Sequence, residues 1–496
     1  MEKNPNSREA AAAALGTKVL PSGPEGGRKL FQYLGAMAAC LFAVCMGTTM
    51  GWTSAANRLV YKAEDTDLDG KLFSESEYSW VGAAMPLGAL LAALPTGPAI
   101  TRFGRKNMML SLSPIIFLAW LLIIFAQNAY MVIVARFVIG AAVGSISMIA
   151  PLYSNEIAHK SVRGTLGGFF QFLHTCGVLF AYILGWAISG DLTWISVICA
   201  CVPLVAGFAF FFFPDTPTWY LQQGRTEQAK KALVLFRGAD YPEELLMEEL
   251  NTISADIKNA EDSKKSMSEA FTTREAKMGL MLSMNLMLVQ QLSGVSAVIF
   301  YAGAIFKAAG STLSAEVSAI ITGACLAGAT LVSLFLVDRL GRRTLLLVSG
   351  IACIICNVVL GIYLYILVRT EKQGSEVMQP YGMIPILTMG LFMVLFSIGY
   401  GPIPWLYMTE VFTVDIRSAA MSVATVTNWA MVFIVTVAYD PLQSLIGGYS
   451  TFWIFAAIVL AGSVVVAMFL VETKGKSNEE IQEELKGRRP AAPGAV

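Results

Sequence analysis

The sequence predicts an all-α integral membrane protein with twelve transmembrane helices arranged as two six-helix bundles. Three observations support this fold class. Of the 496 residues, 55% are hydrophobic and only 14% are charged, whereas about 25% are charged in a typical soluble protein. Long stretches with few or no charges recur along the chain. The two halves of the chain also carry the same pair of short motifs.

Composition excludes several functional classes. The 35 basic residues are balanced by 35 acidic ones, so there is no basic excess of the kind that nucleic acid binders show. All eight cysteines fall in apolar stretches, where buried thiols occur. With only two histidines and no clustered acids in those stretches, we expect neither an enzyme nor a metal site, and no cofactor or nucleic-acid partner.

Twelve stretches reach the roughly 20 apolar residues that a helix needs to cross the core of a bilayer. In the first half they lie at approximately 30–57, 78–101, 107–127, 129–155, 164–190 and 192–214. In the second half they lie at 278–306, 317–337, 344–368, 382–409, 418–439 and 451–471. None shows the alternation of polar and apolar residues that marks a β-barrel strand, so all twelve are predicted to be helices.

The polar stretches divide the chain into five parts. The predicted order is a cytoplasmic N-terminal tail (1–29), an N-terminal six-helix bundle (30–214), a cytoplasmic helical linker (215–277), a C-terminal six-helix bundle (278–471) and a cytoplasmic C-terminal tail (472–496). A short amphipathic helix is expected near 477–486.

Basic residues predict the orientation, because Lys and Arg concentrate in cytoplasmic loops. With both termini inside, 28 of the 35 Lys and Arg residues fall in cytoplasmic segments and 6 fall in external loops. The remaining one, Arg136, lies within the fourth stretch. A charge there is costly in lipid, so we expect Arg136 to face the bundle or the cytoplasmic network. The plasma membrane is the expected location.

Two motifs recur in both halves. A basic loop follows the second stretch at 102–106 (RFGRK) and the eighth at 338–343 (DRLGRR). A Tyr-x-x-Glu motif with an arginine seven residues later recurs at an offset of 254 residues: Tyr153, Glu156 and Arg163, then Tyr407, Glu410 and Arg417. The tendency of basic residues to lie in cytoplasmic loops is enough to explain a basic loop, but it does not explain the repeated Tyr-x-x-Glu motif with its arginine. Duplicated halves are typical of alternating-access transporters.

With these repeats, the sequence resembles the sugar porter family of the major facilitator superfamily over nearly the whole chain. The further matching motifs are QQLSGVSAV at 290–298, GPIPW at 401–405, ETKGKS at 472–477 and a degraded PDTPTWYL at 214–221. Within the family, SWVG at 79–82, MPL at 85–87 and GRKN at 104–107 are most similar to insect facilitated trehalose transporters. The resemblance implies the major facilitator fold and a small-molecule sugar as substrate. It also implies that the protein is embedded in the lipid bilayer, and we expect the protein to function as a monomer.

Amides and aromatic rings in apolar stretches are the candidate sugar-binding groups. Amides both donate and accept hydrogen bonds, and rings lie against the apolar faces of a sugar. The resemblance implies a substrate-binding set, to which we add a histidine one helical turn after its first member: Gln171, Gln290, Gln291, Ser296, Trp405, Asn428 and His174. For any one amide, the alternative is a hydrogen bond that joins two helices, and the same alternative holds for His174.

Three residues depart from the family's pattern. Ser296 replaces the asparagine of the QQLSGIN motif, and Leu326 replaces a further asparagine of the eighth stretch. Ser397 replaces the glutamate that precedes GPIPW in glucose facilitators. Fewer polar contacts to the sugar are therefore expected than in a mammalian glucose facilitator, which leaves trehalose, glucose and other hexoses open.

Charged residues at the cytoplasmic helix ends form a second candidate set. The resemblance implies that they lock the cytoplasmic side closed: Arg102, Arg105, Glu156, Arg163, Asp338, Arg339, Arg342, Glu410 and Arg417. Thr101 stands where many family members carry an acid before Arg102, whereas Asp338 keeps that acid in the second half. We therefore expect an asymmetric lock. In the tenth stretch, Pro402 and Pro404 predict an interruption, which is either a hinge or a static kink.

The expected function is facilitative sugar uniport by alternating access. A proton-coupled sugar symporter is one alternative, and a non-transporting sugar sensor is another, although only about 25 residues follow the last stretch. Proton-coupled sugar porters carry an aspartate in the first span, where this chain has Thr53. Elsewhere we expect acids only at the ends of spans, as Glu156 and Glu410, which leaves His174 as the titratable alternative.

Overall fold

The computed structural model describes residues 29–56, 75–159, 161–188, 191–262, 272–370, 381–476 and 478–487. Within them, twelve helical segments are long and apolar enough to cross a membrane. Spans 1 to 6 are Leu30–Ala56, Glu75–Phe103, Arg105–Ile124, Ala129–Ile157, Arg163–Ala187 and Leu192–Phe211. Spans 7 to 12 are Arg274–Ala308, Ala315–Leu340, Arg342–Thr370, Ile384–Val411, Val414–Ile446 and Gly448–Phe469. The twelve predicted helices are thus confirmed.

Two spans of the second half are broken. Span 7 consists of Arg274–Leu292 and Val295–Ala308, joined at Gly294, whose φ of 92° is one that L side chains rarely adopt. A Cβ at Gly294 would also lie 2.6 Å from a ring carbon of Phe455. Span 10 consists of Ile384–Ile398 and Ile403–Val411, and the break between them covers the predicted Gly-Pro interruption. The break in span 7 was not predicted.

Glycines allow close packing inside the first half. Gly47 of span 1 lies against the backbone of span 5, where a Cβ would clash with the carbonyl oxygen of His174. Gly140 of span 4 is packed in the same way against the carbonyl of Met85 in span 2. Small residues at such places let two helices approach backbone to backbone, which favours their association in lipid. Spans 1 and 5 and spans 2 and 4 are therefore closely joined pairs.

Among the described residues, the two halves meet most extensively where span 2 packs on span 11, span 5 on span 8, and span 1 on the second part of span 7. The linker contains the helices Pro217–Gln222, Thr226–Arg237 and Glu243–Asp262. The guanidinium of the buried Arg237 donates to the carbonyl of Ile157 at the end of span 4 (2.9 Å) and pairs with Glu249 (2.6 Å). These bonds hold the linker helices against one end of the bundle, which we call the linker face.

The chain after span 12 also packs on this face. A helix occupies Asn478–Leu485, close to the predicted amphipathic helix, and Gln482 donates to the carbonyl of Val411 at the end of span 10 (2.6 Å). Most of the predicted N-terminal tail, the end of the C-terminal tail and residues 263–271 of the linker lie outside the described residues.

Candidate functional site

The amide of Gln290 lies at the break in span 10. Its Nε2 donates to the carbonyl oxygens of Tyr400 and Gly401, each at 2.8 Å. Its Oε1 accepts a hydrogen bond from Nδ2 of Asn428 in span 11 (2.9 Å). Gln290 and Asn428 are 4% and 6% exposed, so these bonds are shielded from solvent. The structure thus brings two candidate residues together, in an arrangement that joins spans 7, 10 and 11.

The neighbouring Gln291 has a different environment. Its Oε1 accepts a hydrogen bond of 2.6 Å from the hydroxyl of Ser296, across the break in span 7. Within the described part of the chain, its Nε2 has no hydrogen-bond partner. Ser296 therefore fixes the orientation of the amide and leaves two N–H groups available to a ligand.

Gln171 and Trp405 are both half-buried. Among the described residues, neither side chain makes a hydrogen bond, and neither is joined to the other candidate residues by one. The polar group of each side chain is therefore available to form hydrogen bonds with a ligand that carries many hydroxyls.

His174 lies between spans 1 and 5. Its Nε2 is 3.3 Å from the sulfur of Met50 in span 1, and its Nδ1 is buried with no hydrogen-bond partner in the described part of the chain. The ring is 7% exposed. This geometry corresponds to the alternative considered for His174, a histidine packed between helices.

Arg136 is fully buried between spans 1, 2 and 4. Its guanidinium donates to the carbonyls of Thr49 (2.6 Å) and Val81 (3.2 Å) and to the hydroxyl of Thr53 (2.7 Å). It also lies 5.5 Å from the ring centre of Trp52, a cation–π contact. In the described residues it forms no ion pair with an acid. Arg136 therefore faces the bundle, one of the two expected placements, and neutral groups hold its charge.

Tyrosines close the end of the bundle opposite the linker face. The ring of Tyr301 in span 7 stacks on Tyr439 of span 11 at 5.1 Å and meets Tyr78 of span 2 edge-on at 5.8 Å. Nearby, the amide of Gly303 donates to the hydroxyl of Ser54 in span 1 (2.9 Å). Both sets of contacts bridge the two halves. The sequence analysis missed these tyrosines, because residues that lie so far apart in the chain carry no local pattern.

One expectation about acidic residues is wrong. Acids were expected only as Glu156 and Glu410, because the eleventh apolar stretch was bounded at 439. Span 11 instead continues through Asp440 to Ile446. Pro441 did not end the helix, as a proline usually does, so an acid lies within this span beside Tyr439.

On the linker face, each half carries a cluster of the same design. In the first half, Arg105 pairs with Glu156 (2.8 Å), whose other oxygen accepts from the Thr216 hydroxyl (2.5 Å). Asp215 accepts from the backbone N–H groups of Arg105 (3.2 Å) and Lys106 (3.0 Å), at the start of span 3. A carboxylate there is favoured by the free N–H groups of a helix N-terminus.

The second half repeats this arrangement. Arg342 pairs with Glu410 (2.7 Å), which also accepts from the Thr473 hydroxyl (2.6 Å). Glu472 accepts from the N–H groups of Arg342 (2.9 Å) and Arg343 (3.0 Å). The acid-threonine pairs 215–216 and 472–473 were not among the predicted residues. Their signal in the sequence is that the same pair of residue types follows spans 6 and 12.

The two capping carboxylates, Asp215 and Glu472 at the starts of spans 3 and 9, have pKa values shifted in opposite directions. Burial is the largest influence on Asp215 and raises its pKa above the usual value. Burial also acts to raise the pKa of Glu472, but hydrogen bonds from the backbone of Arg342, Lys474 and Arg343 outweigh it, so that pKa is lowered. The same arrangement is therefore electrostatically asymmetric between the halves.

The other predicted lock residues lie outside these clusters. Arg102, Arg163 and Arg339 are exposed and form no ion pair with a described residue. Arg417 donates to the carbonyl of Phe412 (3.0 Å). The side chain of Asp338 lies outside the described residues. Of the nine predicted residues, the structure brings together Arg105 with Glu156 and Arg342 with Glu410.

Comparison with known proteins identifies relatives along most of the chain. The family model described as sugar (and other) transporter matches residues 34–485. The facilitated trehalose transporter Tret1 of Drosophila grimshawi is 36% identical over 457 residues, which cover 92% of this chain and 48% of that protein. Tret1 of Culex quinquefasciatus is 35% identical over 463 residues, which cover 92% and 86%. The chain spans about half the length of several of the Tret1 proteins that it matches.

Solved structures show the same fold. The proton:xylose symporter XylE, bound to 6-bromo-6-deoxy-D-glucose, superposes with a TM-score of 0.72 at 21% identity, covering 92% of this chain and 98% of that one. The inward open conformation of XylE from E. coli gives a TM-score of 0.72 at 20% identity, with 91% and 98% covered. At this identity the likeness establishes the major facilitator fold.

Proposed function

Because this chain belongs to the sugar (and other) transporter family, we propose that it is a facilitative sugar uniporter, with trehalose as its first candidate substrate. The relatives at 35–36% identity are facilitated trehalose transporters, which supports trehalose ahead of glucose or another hexose. The observation that carries the uniport assignment is the set of neutral groups around Arg136.

A proton-coupled carrier needs a group that gains and loses charge as the site alternates, because a fixed charge in low dielectric is costly to move. A carboxylate beside Arg136 would be such a group, because it can bind and release a proton. Thr53 occupies that position and cannot ionise in the physiological range, while its hydroxyl accepts from the guanidinium at 2.7 Å. Among the described residues, the charge of Arg136 is therefore compensated by neutral groups, and none of its hydrogen-bond partners is an acid that could bind and release a proton.

Three side chains with available polar groups form the proposed sugar site. Gln171 comes from the first half, and Gln291 and Trp405 come from the second. Ser296 orients the amide of Gln291, so its two N–H groups face the ligand in a fixed direction. Gln290, Asn428 and His174 are engaged with protein groups and contribute less directly.

The contacts at the two ends of the bundle support alternating access. Tyr78 of the first half meets Tyr301 of the second half opposite the linker face, and charged clusters hold the helix ends on the linker face. Lys and Arg concentrate on the linker face, which supports a cytoplasmic location for it and for both termini. We place the protein in the plasma membrane as a functional monomer, with the tyrosines forming the external closure.

Asp440 favours a second candidate function, proton-coupled symport. It lies within span 11, directly after Tyr439 of the external closure. If Asp440 were a coupling group, a protonophore would abolish accumulation, and Asp440→Asn would reproduce that loss.

The decisive experiment is transport by the purified protein in proteoliposomes. Radiolabelled trehalose and glucose should be tested separately, with and without an imposed proton gradient. Uniport predicts that trehalose equilibrates across the membrane without accumulating and that a protonophore leaves the rate unchanged. Accumulation driven by the proton gradient would instead establish symport, and glucose transport without trehalose transport would reassign the substrate.

A further inference from the structure

Span 9 supplies a hydrogen-bond donor to the break in span 7. In a continuous helix the carbonyl of Ser293 would accept from the N–H of Ala297. That bond is absent from the described backbone hydrogen bonds, although the next one, from Val298 to Gly294, is present at 3.0 Å. Nδ2 of Asn357 in span 9 donates to the Ser293 carbonyl instead, at 3.1 Å. Asn357 is 1% exposed, so its amide satisfies a buried carbonyl that would otherwise be costly to leave unpaired.

Span 9 also holds the far end of the same helix piece. Further along span 9, the hydroxyl of Tyr363 donates to the carbonyl of Ala309 (3.0 Å), which is the C-cap of Val295–Ala308. The carbonyls at the C-terminus of a helix have no helical donor of their own. The second piece of span 7 is therefore attached to span 9 at both of its ends.

The break in span 10 lies against the same helix. The backbone N–H of Tyr400 donates to the hydroxyl of Ser349 in span 9 (3.3 Å). Gly399 packs directly on span 9, because a Cβ there would clash with the Cβ of Ser349 and would lie 2.7 Å from the carbonyl oxygen of Leu345. Ser349 and Asn357 lie about 12 Å apart along a helix that rises about 1.5 Å per residue. Span 9 thus connects the two breaks.

We propose that Asn357 is a positioning residue that makes the two broken spans bend together, with span 9 as the rigid connection between them. Span 9 is one continuous helix from Arg342 to Thr370, so it transmits a displacement that a broken helix would absorb by bending. Gln291 and Ser296 stand on opposite sides of the break in span 7, so the angle that Asn357 holds also sets their alignment. This role rests on the proposed transport function.

Three variants separate such a connection from ordinary helix packing. Asn357→Leu keeps nearly the same volume and removes the donor at the span 7 break. Ser349→Ala removes the acceptor at the span 10 break. The matched control is Asn285→Leu, because Nδ2 of Asn285 in the first piece of span 7 donates to the carbonyl of Gly462 (3.2 Å). That carbonyl lies within the continuous helix of span 12, so the control loses the same type of bond away from either break.

The first measurement needs no sugar. Spin labels on cysteines introduced at the exposed positions Leu387 and Thr409, after replacement of the native cysteines, report the distance across the break in span 10. Asn357→Leu should broaden this distance distribution, although its described hydrogen bond goes to span 7, because span 10 then loses the restraint that span 7 imposes through span 9. Adding Ser349→Ala should broaden it no further, and Asn285→Leu should leave it as in the wild type.

The second measurement is the maximal rate of trehalose transport in proteoliposomes. Asn357→Leu should lower this rate at least about fivefold and Ser349→Ala at least about twofold, while the double variant should be no slower than Asn357→Leu alone. Changes at unconnected sites this far apart act independently, so the losses of Asn285→Leu and Ser349→Ala should multiply. If Asn357→Leu fails to fold, Asn357→Ala removes the same donor with less steric demand and is judged by the same criteria.

Two results would overturn the inference. An unchanged distance across span 10 in Asn357→Leu would show that the two breaks bend independently. Rate losses that multiply when Asn357→Leu and Ser349→Ala are combined would show the same. The distance measurement does not depend on the substrate, so it stays valid if trehalose is the wrong sugar. That error is detected separately, by the failure of the wild-type protein to transport trehalose.

Discussion

Arg136 and Thr53 are joined by a hydrogen bond of 2.7 Å between the guanidinium Nη2 and the threonine Oγ1, in a fully buried site. A cation at this depth usually has an acid as its partner, because an uncompensated charge is costly there. Here two carbonyls and a hydroxyl serve instead. The rate of transport should therefore not depend on the protonation of this site.

Placing an acid at position 53 should introduce such a dependence. In Thr53→Asp the carboxylate would form a buried ion pair with Arg136, and breaking it in each cycle should slow transport at least about tenfold at pH 7.5, equivalent to about 1.4 kcal/mol. Protonation at pH 5.5 should recover part of the rate. Sugar counterflow at the two pH values measures the effect. Thr53→Asn is the neutral control, and equal pH profiles for the two variants would count against the assignment.

Gln291→Ala should remove the sugar-facing amide. Because Ser296 orients that amide through Oε1, the variant loses two aligned donors, each worth about 1 kcal/mol net. We expect the apparent affinity to fall by about ten- to thirtyfold with normal surface expression. Uptake kinetics in expressing cells measure this change. Ser296→Ala should give a smaller loss in the same direction, and unchanged uptake in both variants would show that the site lies elsewhere.

His174→Ala separates the two roles considered for the histidine. Since the ring lies against Met50 between spans 1 and 5, its removal leaves a cavity that should destabilise the protein by about 2–4 kcal/mol. We expect a lower melting temperature with unchanged sugar selectivity. Thermal unfolding and competition between trehalose and glucose provide the measurements. A change in selectivity at constant stability would move His174 into the sugar site.

The two capping carboxylates should respond to pH in opposite directions. The folded-state pKa of Asp215 is raised, so its contribution to stability is present at low pH and is lost as the pH rises through that value. The pKa of Glu472 is lowered, so its contribution is present above its unfolded value and is lost as the pH falls through the folded one.

Melting temperatures between pH 3 and pH 7 test this asymmetry, because the contribution of Glu472 changes below its ordinary pKa of 4.5 and that of Asp215 changes above its ordinary pKa of 3.8. Relative to wild type, Asp215→Asn should become less unfavourable as the pH rises, whereas Glu472→Gln should become more unfavourable. Parallel curves for the two variants would mean that the clusters are electrostatically equivalent.

The sequence could predict those features that depend on local composition. Span number follows from apolar length, and the Tyr-x-x-Glu repeat indicated where Arg105–Glu156 and Arg342–Glu410 would form. Contacts between distant segments carry no such pattern. Gln290 was chosen because an amide is rare in an apolar stretch, but that rarity does not distinguish a sugar contact from its bonds to Tyr400 and Gly401.

Local rules also fail where tertiary packing overrides them. The eleventh apolar stretch is predicted to end at 439, yet the helix continues through Asp440 and Pro441 to Ile446. Span 7 shows the converse difference. Its helix is interrupted at Gly294, although a single glycine in an apolar stretch does not predict a break. Both differences arise because neighbouring spans determine where a membrane helix bends or ends.

Stiffness is unevenly distributed between the halves. Spans 1 to 6 are each one continuous helix in the described part of the chain, whereas spans 7 and 10 each consist of two pieces. A helix deforms most easily where its backbone bonds are missing, so bending strain concentrates at Gly294, at the kink at Tyr301 and at residues 399–402. The first half is then the rigid reference frame of the molecule. Probe distances measured within it should stay constant through a transport cycle, while distances between the two pieces of span 10 change.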